Sequence, residues 1–221
     1  MQITAGTEIT ARALLFDMDG TLIDASAVIT RLWRRWAARH GLDAQAILRA
    51  SHGQRVIETV AAFAPSGTDI AGEAAALAAA AARETVGFTP VPGAAALLHA
   101  LPRSGWAVVT SAERSLAARW LGHAGLPVPE VMVAAQDVAI GKPHPAGYRL
   151  AASNLDVAPA DTVVFEDSPA GFAAATAAGA RLIALATTLP ATALTQHDWL
   201  ADFTRLSVDT SHPNQIRLRC G

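Results

Sequence analysis

Cysteine is nearly absent from this 221-residue chain. The single one, Cys220, excludes a disulfide framework within one chain and suits a reducing cytoplasm, the compartment expected. Long apolar runs are missing as well. The longest alanine-rich stretch, Ala71–Ala82, falls far short of the ~20 residues a membrane helix needs. The N-terminus, MQITAGTEITARALLF, has no apolar run bounded by a cleavage site, so no signal peptide is expected. Charge is sparse, at 16% of residues, and nearly balanced, with a formal net charge of −2. No basic excess points to nucleic acid and no basic amphipathic stretch points to a membrane surface, so neither is expected as a partner. Lysine is as scarce as cysteine: of 17 basic residues only Lys142 is one. In so arginine-biased a chain, a retained lysine raises the question of what a compact ammonium does that a guanidinium fork does not.

Apolar side chains, in contrast, are plentiful at 52%, enough to bury one large core or a core with a small inserted domain. Runs of strand length recur along the chain: Ala13–Phe16, Trp106–Thr110, Val131–Ala134, Thr162–Phe165 and Arg181–Leu185. Between the later runs lie helical patterns at Gly93–Leu101, Glu113–Ala124, Ala146–Asn154 and Ala170–Ala178. Such alternation predicts an α/β fold, a parallel sheet covered by helices on both faces.

From about Ser26 to about Phe88 the alternation stops. The segment reads as helices at Val28–His40, Ala44–Ala50, Gln54–Phe63 and Ile70–Val86, punctuated by the turn strings Ala64–Gly67 and Phe88–Gly93. The simplest architecture is a Rossmann-like core made of residues 1–24 and 92–221, with a small all-α cap inserted as residues 25–91. The polar tail from about Asp209 is expected to be poorly ordered.

The first strand runs into Phe16-Asp17-Met18-Asp19-Gly20-Thr21-Leu22. Two acids two apart at the carboxyl end of a buried strand are costly unless something neutralises them, and a divalent cation would do so. Ligands of open parallel sheets sit at that end of the strands. Gly20 and Thr21 allow a tight turn whose backbone N–H groups can face an anion. The bland alternative for an isolated Asp-x-Asp is a solvated turn.

That string resembles the first motif, hhhDxDGTL, of phosphatases of the haloacid dehalogenase superfamily. Three further motifs follow in the order of that family. Val108-Val109-Thr110-Ser111-Ala112 resembles the second, Gly141-Lys142-Pro143 the third, and Val163-Val164-Phe165-Glu166-Asp167-Ser168 the fourth. The resemblance implies Asp17 as a nucleophile that forms an aspartyl phosphate. It implies Asp19 as the acid that protonates the leaving alkoxide and the base that later activates water. Magnesium is the implied cofactor, held by the Asp17 carboxylate, the Asp19 backbone carbonyl and Asp167, with Glu166 in direct contact or just behind; all are hard oxygen ligands. A hydroxyl of Thr110 or Ser111, with the backbone N–H that follows it (Ser111 or Ala112), is the implied phosphate contact together with Lys142. The structural alternatives are helix capping, by Thr110-Ser111 before Glu113 and by Glu166-Asp167 before Ser168-Pro169.

Within the superfamily, Asp19 disfavours the dehalogenases, which resemble the first motif but lack its second acid. The inserted segment has no lysine, which removes the Schiff-base chemistry of the phosphonate-cleaving enzymes. The string Ser51-His52-Gly53-Gln54-Arg55, with Val91-Pro92-Gly93-Ala94, resembles the caps of sugar and glycerol phosphatases in the β-phosphoglucomutase-like subgroup. Gly53 is expected to open a helix, with Arg55 in its first turn. His52 and Arg55 are expected to meet a substrate hydroxyl or phosphate, or else to decorate a solvated helix end. Trp33 and Trp36 are better explained by core packing than by sugar stacking. The expected function is magnesium-dependent hydrolysis of a small phosphorylated sugar or polyol, by a monomer or a weak dimer. The alternatives are a sugar phosphomutase and a non-catalytic binder of phosphorylated metabolites.

Overall fold

The computed structural model describes residues 1–212 and 215–221. The chain opens with strands β1 (Glu8–Ala11), β2 (Ala13–Phe16) and β3 (Ile23–Asp24). Four helices follow, α1 (Ser26–His40), α2 (Ala44–Ser51), α3 (Val56–Phe63) and α4 (Ile70–Ala81). The chain returns through β4 (Thr89–Pro90), which pairs antiparallel with β3, so the inserted helices leave and re-enter side by side. Then come α5 (Ala94–Ala100), β5 (Trp106–Val109), α6 (Arg114–His123), β6 (Val131–Val133), α7 (Ala146–Asn154), β7 (Thr162–Glu166), α8 (Pro169–Ala178) and β8 (Arg181–Leu185). Strands β9 (Trp199–Leu200), β10 (Leu206–Asp209) and β11 (Ile216–Cys220) complete it.

Six strands form the parallel sheet in the order β6-β5-β2-β7-β8-β9. Every residue of β2, β5 and β7 is buried, because helices cover both faces. Phe16 stacks on Phe165 at 5.2 Å and meets Trp106 and Phe203 edge-on, which locks the centre of the sheet. After β2 the chain builds outward first through β5 and β6, then on the other side through β7 to β9. The order therefore reverses at β2, and the carboxyl end of that strand is where an open α/β sheet presents its ligand crevice. The expected fold class holds: a helix-covered parallel sheet with an inserted all-α segment.

Two expectations need correction. The tail is not loose: β11 is the central strand of a three-stranded antiparallel sheet, between β1 and β10. Ile216, Leu218 and Cys220 point inward while Arg219 faces out and pairs with Glu8 at 2.7 Å. The alternation Ile216-Arg217-Leu218-Arg219-Cys220 was itself a strand signal, but it is short and lies in a polar tail, and its partner β1 is more than 200 residues away in sequence, so the reading of the tail missed it. Residues 213–214 of the tail lie outside the described residues. Helix α4 stops at Ala81 rather than Val86, because the Arg83 and Glu84 amides turn back on the carbonyls of Ala80 and Ala81. Trp33 and Trp36 pack in the core edge-to-face at 5.6 Å, and Trp36 Nε1 donates to Glu73 at 2.8 Å.

Candidate active site

Four of the sequence motifs converge at the switch point. Asp17 follows β2 directly, and its amide donates to the Phe165 carbonyl on β7. Thr110 follows β5, with its amide on the Val133 carbonyl of β6. Glu166 ends β7 and Asp167 follows it. Lys142 arrives on the loop between β6 and α7. Asp17, Lys142, Glu166 and Asp167 are all less than a tenth exposed.

The Lys142 ammonium bridges two carboxylates. It donates to Asp17 Oδ1 in a short bond and to Glu166 Oε1 at 2.5 Å. Glu166 is saturated with donors: Tyr148 OH (2.9 Å) joins Lys142 on Oε1, while Oε2 accepts from the amides of Asp167 (2.9 Å) and Ser168 (3.0 Å) and from Ser168 Oγ (3.0 Å). Five donors meet the roughly four lone-pair sites of a carboxylate. Its packing is equally tight, since a Cβ on Gly171 would lie 1.8 Å from the carboxyl group. Asp167 is held from the opposite side by Thr21 Oγ1 at 3.2 Å and by Thr188 Oγ1 in a short bond. Gly20 takes the left-handed conformation (φ +84°), and a Cβ there would lie 2.1 Å from Asp167 Oδ2, so the turn after Asp19 admits only glycine.

Burial raises three of the acids at this site. Burial pushes Asp19 up to about 8, the Asp17 charge adds to it, and Lys142 opposes. Asp19 Oδ1 is buried and has no hydrogen-bond partner. Burial also raises Asp17 well above the ordinary carboxylate value; Lys142 opposes this, while Glu166 and Asp167 reinforce it. Asp167 is raised to about 7, by burial first and by Glu166 second, with Thr188, Lys142 and Thr21 pulling it down. Lys142 is raised above its ordinary value: desolvation acts against its charge, but Asp17 and Glu166 overcome it. Four acids therefore share one ammonium. Ligand atoms of Asp17, Glu166 and Asp167 lie within 4.8 Å of one another, and an oxygen-preferring dication fits both that spacing and the uncompensated charge.

In the second motif the two hydroxyls separate. Thr110 is buried and its Oγ1 accepts the Ala112 amide at 3.1 Å, leaving the hydroxyl proton free to donate. Ser111 Oγ instead donates to the Gly53 carbonyl of the inserted segment at 2.7 Å. Gly53 does not open a helix; it sits in the turn between α2 and α3 at φ +74°, and α3 begins at Val56 with Arg55 just before it. The Arg55 guanidinium is shared between Glu58 (2.5 Å) and the carbonyls of Val138 and Ala139 (3.2 Å each), on the loop that leads to Lys142. Arg55 thus reaches the core, as a clasp on the lysine loop. His52 is exposed, and its Nδ1 donates to the Leu48 carbonyl one turn back at 2.8 Å. Sequence reasoning passed over Tyr148 and Thr188, and gave Thr21 a part in the turn but not its hydroxyl bond to Asp167. Thr21 lay within a quoted motif; for Thr188, beyond β8, no local signal existed.

The comparisons with known proteins agree with this geometry. A family model described as haloacid dehalogenase-like hydrolase matches residues 11–179. Hexitol phosphatase A of Escherichia coli (strain K12) is 44% identical over 79% of this chain and 82% of its own. Glycerol-1-phosphate phosphohydrolase 2 of Saccharomyces cerevisiae is 38% identical over 80% and 75%. Among solved structures, CbbY from Rhodobacter sphaeroides in complex with phosphate superposes with a TM-score of 0.73 at 28% identity, covering 88% of this chain and 95% of that one. With the family model running from just before β2 to just past α8, and with four motifs gathered at one strand end, the chain belongs to the haloacid dehalogenase-like hydrolases.

Proposed function

We propose that this protein is a magnesium-dependent phosphatase of small phosphorylated sugars or polyols, working through a phosphorylated Asp17. One observation carries the reading: an acid paired with the lysine (Asp17) and an acid held protonated (Asp19) stand two residues apart at the ligand end of the sheet. Asp17 attacks phosphorus as the carboxylate, the form that Lys142 favours against burial and that a bound cation would favour further. Asp19, at about 8, is protonated at neutral pH and delivers its proton to the departing alkoxide. Asp19 then takes a proton from water, which attacks the phospho-aspartate, frees inorganic phosphate and regenerates Asp17. Lys142, the Thr110 hydroxyl and the Ser111 amide would hold the phosphoryl oxygens. Magnesium, on Asp17, Asp167 and the Asp19 carbonyl, would neutralise charge on the phosphoryl group. Glu166, fully engaged by protein donors, orients Lys142. Residues 25–91 act as a cap over the core formed by 1–24 and 92–221, and the contacts of Gly53 and Arg55 with the core are its closed-state clasp.

The substrate class rests on the relatives: a hexitol phosphatase and a glycerol-1-phosphate phosphohydrolase. Their names share a polyol phosphate, and the resemblance of the cap string His52-Gly53-Gln54-Arg55 to those of sugar and glycerol phosphatases points the same way. Phosphate release from a panel of hexitol, hexose, deoxy-hexose and glycerol phosphates, with and without magnesium, tests it. Release confined to sugar and polyol esters and lost on chelation is the expected result. Equal release from aryl and nucleotide phosphates, or conversion of β-glucose 1-phosphate to its 6-phosphate without release, would refute it.

Magnesium has a second, non-catalytic signature. Asp19 and Asp167 rise from 3.8 to about 8 and about 7 on folding, so between those limits the folded protein retains protons that the unfolded chain has released. Stability of the metal-free protein therefore falls as pH rises from about 4 to about 8. Binding the cation requires the ionised acids and relieves their repulsion. The rise in melting temperature on adding millimolar magnesium is expected to be larger near pH 8 than near pH 5. An equal rise at both, or none at either, would refute this assignment of the acids.

A further inference from the structure

The chain has one lysine and one tyrosine, and the fold puts them together. Tyr148 lies in the first turn of α7, six residues after Lys142, and is 1% exposed. Its ring packs in the minor core against the sheet, among Leu15, Val109, Val133 and Val164. The helix can approach that closely because Gly147 faces Val109, where a Cβ would come within 2.9 Å. From this seat the side chain touches two members of the acid–base cluster in different ways. The hydroxyl donates to Glu166 Oε1 at 2.9 Å, the oxygen that also accepts Lys142. The ring presents itself to the ammonium, with Lys142 Nζ 5.3 Å from its centroid.

We infer that Tyr148 is a positioning residue for phosphoryl transfer: it sets how the Lys142 ammonium is shared between Glu166 and Asp17. Lys142 has three N–H donors, of which Glu166 and Asp17 each take one. Tyr148 supplies part of what Glu166 Oε1 needs, and its ring offers the cation a weak, non-directional contact on the side away from solvent. Without the hydroxyl, Oε1 has Lys142 as its only donor. Oε1, left with one of its two lone pairs empty, then competes more strongly for the ammonium, although Oε2 keeps its three donors. The ammonium is held more by Glu166 and less by Asp17 and by the phosphoryl oxygen it would hold. A phenylalanine would fill the same space and back the cation equally well, so the hydroxyl is the specific element.

This inference rests on the phosphatase reading above, so its experiment carries Asp17→Asn as a parallel control. Tyr148→Phe is compared with the parent enzyme for kcat and KM on the best substrate of the panel, per folded molecule as judged by circular dichroism and melting temperature. The expected result is a kcat lower by about tenfold with KM within about twofold, in a protein that melts within a few degrees of the parent. A kcat within about twofold of the parent overturns the inference, as does a loss that vanishes once activity is expressed per folded molecule, because the tyrosine is then only a packing residue. If Asp17→Asn keeps its activity, it is the underlying mechanism that has failed.

Discussion

Asp17→Asn is expected to abolish phosphate release while leaving the fold at least as stable as the parent. The two effects have separate causes. The amide cannot attack phosphorus, and removal of a covalent nucleophile typically costs on the order of four to six decades in kcat. Stability moves the other way because Asp17 is held well above its ordinary pKa, which means that the folded protein disfavours its charge. Burial is the main cause, with Glu166 and Asp167 adding repulsion that Lys142 only partly offsets. A neutral isostere removes that repulsion and can still accept from Lys142 through its carbonyl oxygen. Turnover measured by phosphate release and melting temperature by calorimetry check the pair of effects. Appreciable residual turnover would remove Asp17 as nucleophile; a fall of many degrees would show that its charge holds the site together.

Lys142→Ala is expected to abolish most turnover as well, but with the opposite sign in stability. The ammonium is the only positive side chain bonded to Asp17 and Glu166 among the described residues. Removing it strands both acids in a site that is almost fully closed to solvent. Breaking a buried ion pair by deleting one partner costs about 3–5 kcal/mol. For a domain of this size that is a fall of roughly ten degrees in melting temperature. Loss of an oriented cation from a phosphoryl site removes on the order of two to three decades from kcat. Part of the stability should return at acid pH, where the stranded acids protonate, or on adding magnesium, which supplies the missing positive charge. Arginine is not expected to substitute, because its planar fork needs more width than the gap between Asp17 and Glu166 provides. Parent-like stability of the alanine variant at neutral pH would count against the charge balance described here.

Much of the site could be read from local patterns. Asp17 and Asp19 end a fully apolar strand, Thr110 ends another, and Glu166-Asp167 ends a third, so a chemist reading only the string places each of them at a strand terminus. Lys142 is conspicuous because it has no competitor in the chain. Other features were invisible for physical reasons. The choice between Thr110 and Ser111 depends on which hydroxyl meets the Gly53 carbonyl, 58 residues earlier in sequence. Thr188 belongs to the site through a hydrogen bond to an acid 21 residues away. Arg55 was expected either to meet a substrate or to decorate a solvated helix end, on the resemblance of its string to sugar-phosphatase caps. Its guanidinium instead closes on Glu58 and on two carbonyls more than 80 residues downstream.

Composition and periodicity by themselves determined the class of fold and the insertion of helices after the first strand, while the resemblance of four short motifs to one family pointed to the acids and the lysine. These are properties of short stretches: runs of apolar residues choose strand or helix, and residue chemistry at their ends is legible where it stands. Tertiary structure alone decided the antiparallel sheet that carries the C-terminal strand, the burial that raises Asp19, the saturation of Glu166 and the seat of Tyr148. Each of these depends on burial and on partners distant in sequence. A carboxyl group's charge is set by how much water and which neighbours the fold leaves it, and that is decided only when β2, β5, β7 and the lysine loop come together.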